Sequence, residues 1–230
     1  IIAFGCLVLV LVSTGLLSKD RIEIPSNYLG QYTSVKGERI RYYQTGTGQD
    51  VILIHGLPGL IEDWTPILNA AGKKYRITAY DRPGHGFSAT PSEYTLAHNA
   101  DVALGLIDQL ELKDVIVVGH SYGGAVVLAM AVRNPPQVKA FVSLGGLTTP
   151  HEGGHSIFDV MRLPVIGRGV AAIASPLVGE SMIREGLKLS LSPHDALLTK
   201  DFLDRRIPVF LQTKVIMSIT GESGALNDEI

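Results

Sequence analysis

The chain has 230 residues, 46% of them apolar and 18% charged, a balance that suits one compact domain with a modest insertion and excludes a disordered polymer. Lys and Arg number 20 against 22 Asp and Glu, so the net charge of −2 lacks the basic excess that a nucleic-acid-binding surface needs. The single cysteine, Cys6, can form no internal disulfide, so nothing in the chain reports an oxidising compartment or a cysteine-based metal site.

Residues 1–18 carry no charge, and the first ionisable side chains are Lys19, Asp20 and Arg21. As a helix this run spans roughly 27 Å, close to the ~30 Å hydrocarbon core of a bilayer. It predicts a transmembrane or signal-anchor helix, that is, a single-pass membrane protein. A cleaved signal peptide is the rival, since Ser13 and Gly15 are small residues of the kind a cleavage site uses. Lys19 and Arg21 favour the cytoplasmic side for the domain C-terminal to them.

From Leu29 to Thr45 two β-branched and aromatic stretches flank Lys36-Gly37, which predicts a β-hairpin. Four apolar runs then predict strands: Val51 to Ile54, Ile77 to Tyr80, Val115 to Val118 and Val138 to Leu144. Strands apolar on both faces belong in a parallel sheet covered by helices. Thr95 can N-cap a helix that places Leu96, Ala100, Ala103, Ile107 and Leu110 on one face, and a second helix over Ala125 to Val132 ends at Asn134-Pro135-Pro136. The alternation gives a doubly wound, mostly parallel α/β sheet over residues 19–146. From about Leu147 the prolines Pro164, Pro176, Pro193 and Pro208 divide the chain into short helical pieces, read as a helical cap over 147–230 with at most one short strand at Val209 to Leu211. Phe158, Met161, Met182, Phe202, Phe210 and Met217 are read first as packing between these helices and second as the lining of an apolar cleft. The final stretch, Thr220 to Ile230, reads as a polar helix.

Three loops that directly follow strands carry chemistry. After the Val115 run comes Gly119-His120-Ser121-Tyr122-Gly123-Gly124, a G-x-S-x-G turn between strand and helix. Ser121 would sit at a helix N-terminus, where unpaired N–H groups favour developing negative charge, and Gly119, Gly123 and Gly124 leave room for the turn. After the Val51 run comes His55-Gly56-Leu57-Pro58-Gly59. Acyl transfer needs two preorganised N–H donors for its oxyanion, and the backbones of Leu57 and Tyr122 are the candidates. His55 is read as a structural residue that ties its loop together. The third loop, Asp81-Arg82-Pro83-Gly84-His85-Gly86-Phe87-Ser88, reads as a turn in which Asp81 and Arg82 are available for a structural pair.

HGLPG, DRPGHGFS and GHSYGG in this order resemble the α/β-hydrolase superfamily over about residues 29–146. Ser121 at the nucleophile position separates the chain from the similar epoxide hydrolases and haloalkane dehalogenases, which use an Asp there, and places it with the serine esterase and lipase branch. The N-terminal anchor is similar, in architecture only, to membrane-bound monoacylglycerol lipases. The resemblance implies a triad of Ser, then Asp or Glu, then His, with the last two after further strands beyond the cap. No such strand end, and no late histidine after a strand, precedes Ile230, so the chain is expected to stop before its last two core strands, its acid and its base, and to be inactive alone. Glu152 lies where some family members place the acid, but the run His151-Glu152-Gly153-Gly154-His155 reads as a hinge. That run matches the H-E-x-x-H zinc pattern by letter, yet the two glycines disfavour the helix that pattern requires, so no metal is expected.

The combined reading is a hydrolase of carboxylic esters, lipid-like ones included, that works through an acyl-enzyme on Ser121. It needs no cofactor; its partners are a small-molecule ester and, through residues 1–18, a membrane, but no nucleic acid. The alternatives are other chemistry on the same fold (a C–C bond hydrolase, a lactonase or a cofactor-free haloperoxidase) and a non-catalytic, membrane-tethered binding module.

Overall fold

The computed structural model describes residues 2–18, 20, 23–148, 156–163 and 166–229. In chain order the elements are α1 (Ile2–Leu17), β1 (Gln31–Val35), β2 (Glu38–Gly46), β3 (Gln49–Ile54), α2 (Thr65–Asn69), β4 (Tyr75–Tyr80), α3 (Leu96–Gln109), β5 (Val115–His120), α4 (Tyr122–Arg133) and β6 (Val138–Leu144). After these come α5 (Ser156–Met161), α6 (Gly167–Ala174), α7 (Glu180–Leu191), α8 (Lys200–Phe210) and α9 (Thr213–Glu229). They form two compact units, Ile22–Glu152 with Gly221–Ile230, and Ile1–Arg21 with Gly153–Thr220.

The first unit is built on a six-stranded sheet of order β1-β2-β4-β3-β5-β6. β4, β3, β5 and β6 run parallel, while the β1–β2 hairpin adds antiparallel strands at one edge. Lys36 and Gly37, the two turn residues, both have positive φ, as a two-residue hairpin requires. Alternation along β3 serves both faces of the sheet. Ile52 and Ile54 pack with Val115 and Val117 against Ala100, Ala103 and Ile107 of α3 and Val126 and Met130 of α4. Val51 and Leu53 pack with Ile77 and Ala79 against Trp64 and Leu68 on the opposite face. Each buried Val, Leu, Ile or Met among them contributes about 1.5–3 kcal/mol by leaving water, and β3, packed on both faces, is the central beam of the unit. Thr95 caps α3, its hydroxyl accepting from His98 N, and Asn134 ends α4 in the left-handed conformation. The α/β-hydrolase architecture expected from the motifs is the observed one.

The second unit is helical. Met161, Ala171 and Ile216 form its small core, with Met217 packed against them. Val209 to Leu211, read as a possible strand, instead belongs to the end of α8, which buries Ile207, Val209 and Phe210 together. Three consecutive apolar residues carry no period that separates the two states.

The expected single-pass membrane anchor over residues 1–18 is corrected by the structure. α1 covers sixteen residues, about 24 Å, and no described helix is long and apolar enough to cross a membrane. The physical reason lies at its C-terminal end, which is used for packing and capping within the helical unit. A methyl group on Gly15 would come within 2.9 Å of Gly169 N, so the backbones of α1 and α6 nearly touch. Arg168 donates to Gly15 O at 3.1 Å and Ser18 O at 3.3 Å and pairs with Asp20 at 2.6 Å, supplying donors and positive charge to the terminal carbonyls of α1.

Candidate active site

Ser121 stands between the last residue of β5 and the first of α4 with φ 53° and ψ −119°, a region that L-residues enter only under constraint. Four backbone hydrogen bonds supply that constraint. Ser121 N donates to Leu144 O at 3.0 Å, and Ser121 O accepts from Gly124 N, Ala125 N and Leu147 N at 2.8, 3.3 and 3.3 Å. The turn also needs bare backbone on both sides. A Cβ at Gly119 would fall on the carbonyl of Gly123, and one at Gly123 would fall on the carbonyls of Ile54 and His55. Gly124 lies against Gly146 and Ser143. The result holds Ser121 half-buried at the carboxyl edge of the sheet, with His120 exposed beside it.

The loop after β3 meets this turn at Gly56, where a methyl group would come within 3.2 Å of Ser121 Cβ and 3.3 Å of His120 Nδ1. Leu57 is partly buried against the sheet core, and Tyr122 is fully buried. The structure therefore gathers Ser121, Tyr122, His120 and Gly56 at one sheet edge, with Leu57 next in the chain. The His55 ring bonds on both of its nitrogens. Its Nε2 accepts from Arg82 N at 2.9 Å, which leaves the proton on Nδ1 to donate to Gly56 O at 2.8 Å. Burial, together with the nearby Arg82 cation, pushes its pKa well below the ordinary value, so the ring is neutral. Among the described residues, none hydrogen-bonds Ser121 Oγ. Residues 151–155, with Glu152 and the H-E-x-x-H run, lie outside the described residues.

Arg82 was expected to pair with Asp81, and the structure separates the two. Asp81 accepts from Arg41 Nη1 at 2.9 Å, whereas Arg82 pairs with Glu222 at 2.5 Å. Successive residues of the extended chain leaving β4 point to opposite sides, so the neighbours cannot face each other. Glu222 was missed by sequence reasoning, which read Thr220 to Ile230 simply as a polar helix. The available signal was that Glu222 is the only charged residue between Lys214 and Asp228, set between Gly221 and Ser223.

Asn99 Nδ2 and His85 Nε2 also bond Glu222, at 3.1 and 3.0 Å. Burial alone pushes the Glu222 carboxyl up, but Arg82 and His85 outweigh it and hold the pKa at about 2. His85, like His55, is pushed below its ordinary value of 6.5, burial being the main cause. Each of these shifts means that the unfolded chain binds more protons, so each favours the fold less as pH falls. The thermal midpoint is therefore expected to drop below about pH 6.5 and more steeply below about pH 4.5, with Glu222→Gln reducing the lower step, to which the lowered carboxyls of Asp50 and Asp101 also contribute. A midpoint that stays flat between pH 6.5 and 3 would contradict this arrangement.

A strained serine between a central parallel strand and a helix, with a glycine loop from the neighbouring strand against it, defines an α/β protein of the hydrolase type. The sequence profile of the alpha/beta hydrolase fold matches residues 51–165, half of the chain, and the protein belongs to that family. It is 30% identical over 151 residues to an uncharacterized protein of Mycobacterium bovis, a match that covers 64% of this chain and 43% of that one. It is 32% identical over 124 residues to the 2-hydroxymuconate semialdehyde hydrolase of a Pseudomonas species, covering 51% of this chain and 43% of the relative. The chain thus matches less than half the length of either relative. Among solved structures, an epoxide hydrolase from Vigna radiata superposes with a TM-score of 0.69 at 22% identity, covering 87% of this chain and 73% of the other, a likeness of fold.

Proposed function

We propose that the protein is a serine hydrolase that cleaves carboxylic esters through an acyl-enzyme on Ser121. The observation that carries this reading is the strained backbone of Ser121 at the N-terminus of α4, overdetermined by four hydrogen bonds. Strain of this kind, of order 1–3 kcal/mol, persists where surrounding structure enforces it, and it clusters at reacting groups. In the proposed reaction Ser121 Oγ bonds to the ester carbonyl carbon while a general base takes its proton. The backbone N–H groups of Leu57 and Tyr122 stabilise the resulting oxyanion. Collapse of the tetrahedral species breaks the bond to the alcohol, which leaves with that proton, and water then releases the acid and restores the serine. His55, Gly56, Gly119, His120, Gly123 and Gly124 shape the site.

A second reading, hydrolysis of a C–C bond next to a carbonyl, draws support from the Pseudomonas relative named as a semialdehyde hydrolase. Both readings use the same serine edge and differ in the leaving group. The deciding experiment gives the intact protein p-nitrophenyl butyrate and, separately, a ring-cleavage dienoate. After an acid quench, the peptide containing Ser121 is weighed. Ester turnover with a butyryl mass on that peptide is expected. Turnover of the dienoate alone would replace the ester reading with the C–C one, and a lack of any acyl adduct would overturn the acyl-enzyme.

A further inference from the structure

The hydrolysis proposed above gives no task to Glu222, yet its carboxylate is buried to 1% exposure and receives four donors. They are Arg82 Nη1 at 2.5 Å, Arg82 Nη2 at 3.1 Å, His85 Nε2 at 3.0 Å and Asn99 Nδ2 at 3.1 Å. Arg82 is itself fully buried, and its guanidinium has a second set of partners toward Ser121. Nε donates to His55 O at 3.1 Å, Nη2 donates to Gly56 O at 3.0 Å, and the group lies 4.4 Å from the centre of the Tyr122 ring.

The bond to Gly56 O is the informative one. Gly56 C=O and Leu57 N–H belong to one planar trans peptide, so whatever fixes the carbonyl also fixes the N–H on the opposite edge. His55 Nδ1 holds the same oxygen from a second direction. A cation hydrogen-bonded to an amide oxygen also draws electron density from the amide nitrogen, making its N–H a stronger donor. We propose that Glu222 is a positioning residue for ester hydrolysis. By orienting the Arg82 fork it fixes and polarises the Gly56–Leu57 peptide, and so preorganises the Leu57 N–H for the oxyanion. Arg82 is the intermediary, bonded to one candidate donor peptide and stacked on the residue that supplies the other. Without the Glu222 carboxylate its charge would be buried and uncompensated, and it would turn toward water or other acceptors and release the carbonyl.

The inference rests on the reading of Leu57 as an oxyanion donor, and the experiment separates the two. Wild type, Ser121→Ala, Glu222→Gln and Arg82→Lys forms of the intact protein are compared in three measurements. These are kcat and KM on a p-nitrophenyl ester, the rate ratio between an ester and its thionoester, and hydrogen exchange of the Leu57 amide. Loss of one oxyanion donor lowers kcat by roughly 100–1,000-fold, so misaiming one is expected to lower it by about tenfold to a hundredfold, with KM within about twofold. Sulfur accepts hydrogen bonds poorly, so the preference for the oxygen ester should shrink in parallel, and Leu57 exchange should quicken at least about tenfold. A merely structural role would leave the oxygen-to-sulfur ratio unchanged.

A folded Glu222→Gln protein with wild-type kcat, ratio and exchange would overturn the proposal. If that variant fails to fold, Arg82→Lys decides on the same three measurements. Its ammonium can still face Glu222 but cannot bridge both carbonyls, so a wild-type result there overturns the proposal equally. Hydrolysis that survives Ser121→Ala would instead remove the oxyanion reading. In that case unchanged Leu57 exchange in Glu222→Gln would overturn the positioning geometry as well.

Discussion

Ser121→Ala is expected to lower p-nitrophenyl ester turnover by at least about a thousandfold while leaving the fold intact. The hydroxyl is the atom the acyl-enzyme needs, and no described residue hydrogen-bonds it, so its removal breaks no observed contact. The four hydrogen bonds that hold this turn all use the Ser121 main chain, and alanine keeps them. Ser121→Gly sharpens the result, because glycine enters positive φ without the Cβ penalty. It should be equally inactive yet more stable by about 1 kcal/mol, read as a higher thermal midpoint. A Ser121→Ala protein that keeps a tenth of its turnover would assign the nucleophile elsewhere. A Ser121→Gly protein no more stable than wild type would remove the strain on which the functional reading stands.

The largest effect on stability is expected at Arg41 and Asp81. Arg41 is wholly buried, and it donates to Leu29 O at 2.7 Å, to Asp81 at 2.9 Å and to both oxygens of Glu62. Asp81 in turn accepts from Ile61 N at 2.9 Å and Phe87 N at 2.8 Å. This pair fastens the edge hairpin to the loops after β3 and β4. Arg41→Met would leave two buried carboxylates without their cation, at a cost of about 3–5 kcal/mol, and Asp81→Ala would strand the guanidinium at a similar cost. For a chain of this size that is a fall of roughly 10 °C in the thermal midpoint. Glu62→Gln should cost less, because burial pushes the Glu62 carboxyl up despite Arg41, so the fold already disfavours its charged form. A fall below about 3 °C for Arg41→Met would show that neighbouring water or protonation relieves the site.

The parts of the fold that were readable in the sequence are those whose signal is local. The runs at Val51, Ile77, Val115 and Val138 declare strands because each is a short, mainly apolar stretch rich in β-branched residues. Thr95 declares a helix start because the capping bond spans only three residues. Ser121 and its glycines are legible because the turn is made within six residues of chain. What escaped is everything fixed by partners far apart in sequence. Arg41 sits in a hairpin where alternation predicts an exposed or half-buried charge, and only the fold brings Glu62 and Asp81 to it. Glu222 sits in a helix whose polar letters suit a solvated face. The membrane reading of residues 1–18 failed for a related reason. An uncharged run is equally suited to lipid and to the packing of α1 on α6 through Gly15 and Gly169, and nothing within the run distinguishes them.

Glu222 lies 140 residues after Arg82. A ribosome adding about 5–20 residues per second needs roughly 7–28 s to travel from one codon to the other. The six described strands all precede Glu222 in the chain, so they can pair around the serine turn while the Arg82 guanidinium still lacks its carboxylate. The Arg82 charge beside the reacting edge is therefore neutralised well after that edge has been synthesised, and the delay is set by translation.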